Sequence, residues 1–251
     1  MFTTEQRDKV TVLRMRHGKV NAFDTDFTRG LSAELARLQQ SDETAAVVLT
    51  GAGSVFSAGV DLRVLMEGGR DYIRTFLPLL GDAFFRAYTF PKPLIAAVNG
   101  HAIAGGCILA CACDYRVMAD GGGRVGTPEL SVGVPFPAMA LEILRLAVPA
   151  HRLQAVVYGG LTCTPAEALA NGFVDEVTPA EGCVDRAVEF AARLAALPPV
   201  SFTLTKRLIR GPGRDRAVAG LRSIEEEVLE AWLSPRVLAA VQAYVDRTLR
   251  K

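Results

Sequence analysis

The 251-residue sequence predicts an α/β domain with largely parallel strands, followed by a helical C-terminal region. Three observations carry this reading. Apolar runs too short for helices recur at residues 45–51, 94–98 and 115–119, and the first two lead through loops into helical stretches. The run AAVVLTG is apolar without alternation, as a strand covered on both faces must be. From Pro137 onward, apolar residues recur at helical spacing almost throughout.

Taken in order, the first element is a strand over residues 9–16, where Val10 and Val12 alternate with Thr11, Leu13 and Met15, placed on an open edge. HGKVNAF follows as a loop. Asp24 then caps a helix whose Phe27, Leu31, Leu35 and Leu38 share one face. The strand at 45–51 ends in the glycine-rich GAGSVFSAG. A helix over 71–88, a strand at 94–98, the loop NGHAIAGG, a helix of small residues and a strand at 115–119 make a second round. No fixed-period repeat is visible. In the helical half, Thr164, Pro165 and Glu167 form a capping box with proline at the first helical position. FVDEV, at 173–177, interrupts as a short strand. The closing helices carry Val218, Leu221, Ile224, Val228, Leu229 and Trp232, then Val237, Leu238, Val241, Val245 and Leu249. These stripes must pack on the core or on a neighbouring subunit. A boundary before Pro198 and Pro199 divides a core domain, 1–197, from a helical region, 198–251.

Composition narrows the function. Half of the residues are hydrophobic and 22% are charged, which suits a globular chain. Lys plus Arg is 28 against 27 for Asp plus Glu, so no overall field favours nucleic acid or an anionic membrane, although a local basic patch for a phosphorylated ligand is compatible. MFTTEQRDKV lacks an apolar signal region and is too acidic for a transit peptide, so a cytoplasmic location is expected. The apolar run 94–113 is broken by Asn99, Gly100 and His101, and reads as strand, loop and helix rather than a span. Five cysteines without framework spacing read as buried, reduced thiols.

Several motifs fail on inspection. GAGSVF begins like a dinucleotide fingerprint, but Phe56 stands where the third glycine is needed. No GxSxG elbow supports Ser54 or Ser57 as a nucleophile, and the three histidines, at 17, 101 and 151, form no HExxH. GGG at 121–123 and GPG at 211–213 read as turns.

Three segments carry chemistry together: VFSAGVDL at 55–62, NGHAIAGGCILACACDYRV at 99–117 and GTPELSVGVP at 126–135. In this order and spacing they resemble the enoyl-CoA hydratase/isomerase, or crotonase, superfamily. The likeness continues from HGKVNAF through TPAEALANGFVDEV to the last helix. It implies a crotonase-type ββα spiral with a C-terminal helical trimerisation region. It also implies an acyl-CoA thioester as substrate, no metal or redox cofactor, no nucleic-acid or membrane partner, and a homotrimer or hexamer.

The residues fit that chemistry on physical grounds. A CoA thioester is acidic at its α-carbon only when the enolate oxygen is stabilised, and backbone N–H groups in tight turns of small residues can do this. By resemblance the two donors are the amides of Val60 and Gly105, the acid/base is Glu129, and Ala58, Asp61 and Leu62 run beside the adenine and pantetheine. Tyr244 and Arg247 in AYVDR resemble the segment that reaches a neighbouring subunit's CoA. Structural readings compete at each place: tight turns against a core, a surface glutamate at a helix start, a helix cap at Asp61, and a solvated helix face.

One departure selects among activities. Hydratases of the superfamily carry a second glutamate where this chain has Ile108, and dienoyl isomerases place an acid where it has Pro137. Glu129 is left to work alone, as in the Δ3,Δ2-enoyl-CoA isomerases of fatty-acid β-oxidation. That resemblance implies conversion of a 3-enoyl-CoA to the trans-2-enoyl-CoA. Hydration by some other acid and another crotonase reaction are the enzymatic alternatives. An acyl-CoA-binding protein without turnover is the alternative of another class.

Overall fold

The computed structural model describes residues 1–248, without the side chains at 221 and 222. Leu249, and the side chain of Leu221, lie outside the described residues. The hairpin β1 (Phe2–Arg7) and β2 (Val10–Met15) leads to α1 (Thr25–Gln40). Three β–β–α turns follow: β3 (Ala46–Gly51), β4 (Val55–Ser57) and α2 (Leu62–Thr89), then β5 (Leu94–Val98), β6 (His101–Ile103) and α3 (Gly105–Cys111), then β7 (Tyr115–Ala119), β8 (Val125–Gly126) and α4 (Glu129–Val132). The chain continues through α5 (Ala138–Ala147), α6 (Ala150–Gly159), β9 (Thr162–Cys163), α7 (Pro165–Asn171), β10 (Glu176–Thr178) and α8 (Cys183–Ala195). It closes with α9 (Pro199–Ser223), α10 (Glu225–Leu233) and α11 (Pro235–Thr248).

The first strand of each turn joins a six-stranded sheet in the order β1-β2-β3-β5-β7-β10, parallel except for β1. The second strands join a smaller sheet, β4-β6-β8-β9, set off from the first. Each chain segment therefore passes from one sheet into the other before its helix, which is the spiral. Every residue of β3 and β5 is buried, because one face of the large sheet packs on α8 and the other on the main core with α1 and α2. Ala217, Trp232, Leu233, Val241 and Val245 join that same main core, so the closing helices are packed onto it. A buried ion cluster pins α9: Asp114 accepts from Lys206 at 2.6 Å and from Arg210 at 2.8 Å.

Several expectations are corrected. The strand at 9–16 is not on an edge, since β1 covers it as an antiparallel partner. The helix expected at 71–88 begins earlier, at Leu62, with Asp61 accepting from the amides of Arg63 and Val64, and it kinks at Gly69 (φ 63°, ψ −160°). The short strand expected at 173–177 lies at Glu176–Thr178. No single helix among the described residues is long and apolar enough to cross a membrane. The GAGSVF turn leads into a strand, β4, and not into the helix that a dinucleotide site requires.

Candidate active site

Two turns and one short helix build the site. After β4 the chain turns at Gly59, whose φ of +82° is left-handed and favours glycine. Val60 then forms a single parallel bridge with Phe23. The bridge uses the amide of Phe23, donating to the Gly59 carbonyl, and the amide of Asp61, donating to the Phe23 carbonyl. In parallel pairing the amide of the bridged residue faces the opposite side, so the Val60 N–H is left without a partner. Val60 lines the same cavity as Gly105. Gly105 opens α3, and its N–H has no intrahelical acceptor.

The two turns are in backbone contact. A Cβ on Gly105 would stand 3.6 Å from the Gly59 Cα, and one on Gly106 would stand 2.3 Å from the Ser57 carbonyl oxygen. At Gly106 only glycine permits this approach, whereas the Gly105 contact is ordinary van der Waals packing. Ala104, just before Gly105, holds φ 52° and ψ −123°, a region costly for a residue with a Cβ. It is fixed there by its amide donating to the Gly126 carbonyl and its carbonyl accepting from Ile108. The HGKVNAF loop, read from sequence only as a connection, braces the first turn. Asn21 donates to the carbonyls of Val55 and Phe56, Ser57 Oγ donates to the Asn21 carbonyl, and the Ala58 amide donates to the Val20 carbonyl.

These elements enclose a cavity of about 560 Å³. Val60, Gly105, Glu129, Ala58, Asp61, Leu62, Ile108 and Tyr244 line it. Arg247 does not; its guanidinium lies 5.8 Å from the ring centroid of Tyr244. Tyr244 also differs from expectation, because its side chain lines the cavity of its own chain. Close packing of α11 on α4 brings it there: a Cβ on Gly133 would touch the Ala240 Cβ at 2.8 Å. Trp232, whose Nε1 donates to the Pro135 carbonyl at 3.2 Å, closes the same side. Arg63, Phe84 and Trp232 are lining residues that the motifs did not point to, and Lys19 comes from the HGKVNAF loop, for which no site role was read. Trp232 is the sole tryptophan of the chain, and that rarity was its available signal.

Glu129 is the first residue of α4, after Pro128. Of its chain neighbours, Pro128 lines the cavity and Leu130, 42% exposed, does not; Ile108 and Val132 complete the apolar surroundings. Although the residue as a whole is partly exposed, Oε2 is buried with no hydrogen-bond partner. Burial pushes the carboxyl up to about 8, against a small opposing pull from its own backbone amide. The site thus holds a poised proton acceptor in an apolar cavity. Among the lining residues one other carboxylate occurs, Asp61, and its Oδ1 is engaged by two amides at the start of α2. Ile108, 1% exposed, fills part of the cavity wall with an apolar side chain.

Comparison with known proteins identifies the family and the fold. The enoyl-CoA hydratase/isomerase family profile matches residues 5–249. Human mitochondrial enoyl-CoA delta isomerase 1 is 28% identical over 240 residues, covering 95% of this chain and 80% of its own. The short-chain-enoyl-CoA hydratase of Clostridium acetobutylicum is 31% identical over 207 residues, covering 82% and 79%. The crystal structure of human mitochondrial delta3-delta2-enoyl-CoA isomerase superposes with a TM-score of 0.94 at 27% identity, covering 98% of this chain and 97% of that one.

Proposed function

This chain belongs to the enoyl-CoA hydratase/isomerase family, and we propose that it moves the double bond of a 3-enoyl-CoA to the trans-2 position with Glu129 as the one proton carrier. The carrying observation is the pairing of Glu129, with a buried unpartnered oxygen, and Ile108 in one cavity. Glu129 takes a proton from C2 and the electrons pass into the thioester, making a dienolate whose oxygen accepts from the amides of Val60 and Gly105. The same proton returns to C4 and the thioester re-forms, so atoms and charge balance. Removing one such donor typically costs on the order of a hundredfold to a thousandfold in rate. The transfer requires neither a metal nor a redox cofactor.

Hydration is the second reading, favoured by Asp61 as the other carboxylate of the cavity. Its commitment to the amides of Arg63 and Val64 argues against a role in holding water. Spectrophotometric rates for 3-enoyl-CoA isomerisation and 2-enoyl-CoA hydration, measured on one preparation, decide between them. Isomerisation faster by about a hundredfold or more is the expected result. Equal rates would return the assignment to hydratase.

A further inference from the structure

A second cavity, of about 510 Å³, lies between α2, the start of α5, the end of α9 and α10. Leu77 and Pro137 line both this chamber and the one that holds Glu129, so a wall of these two side chains separates them. Phe85, Met139, Val218, Val228 and Leu229 make the far chamber apolar. Its charged lining residues are all carboxylates, Asp82, Glu225 and Glu226, with no Lys, Arg or His among them. Asp82 accepts from Arg86 at 2.6 Å, and Glu225 accepts from the Ala138 amide at 2.7 Å. On the inner wall, Gly81 sits inside a helix, where glycine is unfavourable. A Cβ there would meet nothing within 4 Å, so its absence keeps space open that any other residue would narrow.

We infer that the substrate carries a neutral alkyl chain long enough to pass Leu77 and end in this second chamber, and that chains ending in a carboxylate are rejected. The inference rests on the acyl-CoA reading of the first cavity. Each methylene withdrawn from water is worth about fourfold in affinity. A terminal carboxylate would instead lose its hydration beside like charges, with no cation to receive it.

Titration calorimetry with butyryl-, octanoyl- and dodecanoyl-CoA, and with the ω-carboxyl analogue of dodecanoyl-CoA, tests this. These saturated thioesters bind without reacting, so the result does not depend on which reaction the enzyme performs. Affinity should rise by about a hundredfold or more from octanoyl to dodecanoyl, and the ω-carboxyl group should remove most of that gain. Gly81→Leu should abolish the gain from octanoyl to dodecanoyl and leave butyryl-CoA binding unchanged. Val218→Phe fills the chamber from the opposite wall and should do the same, so the test survives if either variant misfolds. Dodecanoyl-CoA binding at wild-type strength in folded filling variants would overturn the inference, as would equal binding of the ω-carboxyl analogue. A normal chain-length profile in a protein that fails to isomerise would leave the inference standing and remove the proposed reaction. Isomerisation with no chain-length gain would do the reverse.

Discussion

A Cβ on Gly59 would stand 3.0 Å from the amide nitrogen of Gly105 and 2.7 Å from the carbonyl oxygen of Ile103. The two turns proposed to hold the thioester oxygen are therefore set against each other by contact, and their spacing depends on a missing side chain. Gly59 also holds a φ that residues with a Cβ rarely adopt.

Gly59→Ala should for both reasons displace the Val60 amide from its place beside Gly105. The expected loss in kcat is about a hundredfold or more, the cost of one misplaced donor. Circular dichroism should show the fold retained, because the large sheet does not include this turn. Near-normal kcat would remove Val60 from its proposed role.

Glu129→Gln should abolish isomerisation while acyl-CoA still binds, since the amide keeps the shape and loses the base. The pH profile of wild-type kcat/KM should rise toward a limb near 8, because the ionised carboxylate is the active form and burial holds the proton on to about that pH. Stability should change with the opposite sign. Between the ordinary carboxyl range and about 8, the folded protein keeps a proton that the unfolded chain has released. The stability tied to that proton is full below the unfolded value and is lost as pH rises through the folded one. Glu129→Gln lacks this loss, so its melting temperature should gain on wild type between about pH 5 and about pH 9. A constant difference, with an activity profile flat through 8, would mean that Glu129 is ionised throughout.

Much of the scaffold was legible because burial leaves a continuous apolar signal. The strands expected at 94–98 and 115–119 have the bounds of β5 and β7, and the Thr164–Glu167 capping box is present with both reciprocal bonds. The hairpin strand β1 was invisible because FTTEQR is largely exposed and polar, with no alternation to read. The strands of the small sheet are two or three residues long, and such pieces carry no period at all. Gly68 and Gly69 hid the first two turns of α2, because a left-handed glycine ends many helices and here it only bends one. Val60, Gly105, Ile108 and Glu129 were named through family resemblance, since nothing local in the chain shows that such distant turns converge. Placing Tyr244 needed the packing of α11 on α4, which no motif encodes.

Assembly is expected to be trimeric, or a dimer of trimers. On α9, Val200, Leu204 and Leu208 are spaced four apart on one helix face and are 71%, 50% and 78% exposed, a stripe that a lone chain leaves in water. Light scattering should report three or six copies. Leu208→Glu should lower that number by placing charge in the contact. A stable wild-type monomer at working concentration would end the proposal.

The sharpest test is at Ile108. Hydration needs water held between a group that takes a proton and one that gives it, and an isoleucine side chain offers neither. Ile108 is buried in the wall of the cavity it shares with Glu129, so Ile108→Glu would add a second carboxyl to that cavity, placed to share a water with the first. Hydration of 2-enoyl-CoA should then rise by about a hundredfold, the lower end of what general acid–base assistance supplies. Isomerisation should fall, because two carboxyls close together hold a proton between them and weaken Glu129 as a base. Burying the new acid should lower the melting temperature, most at high pH where it must ionise. A folded Ile108→Glu protein whose hydration stays at the wild-type rate would show that a second acid is not what the site lacks. The barrier to hydration would then lie in excluding water from the cavity.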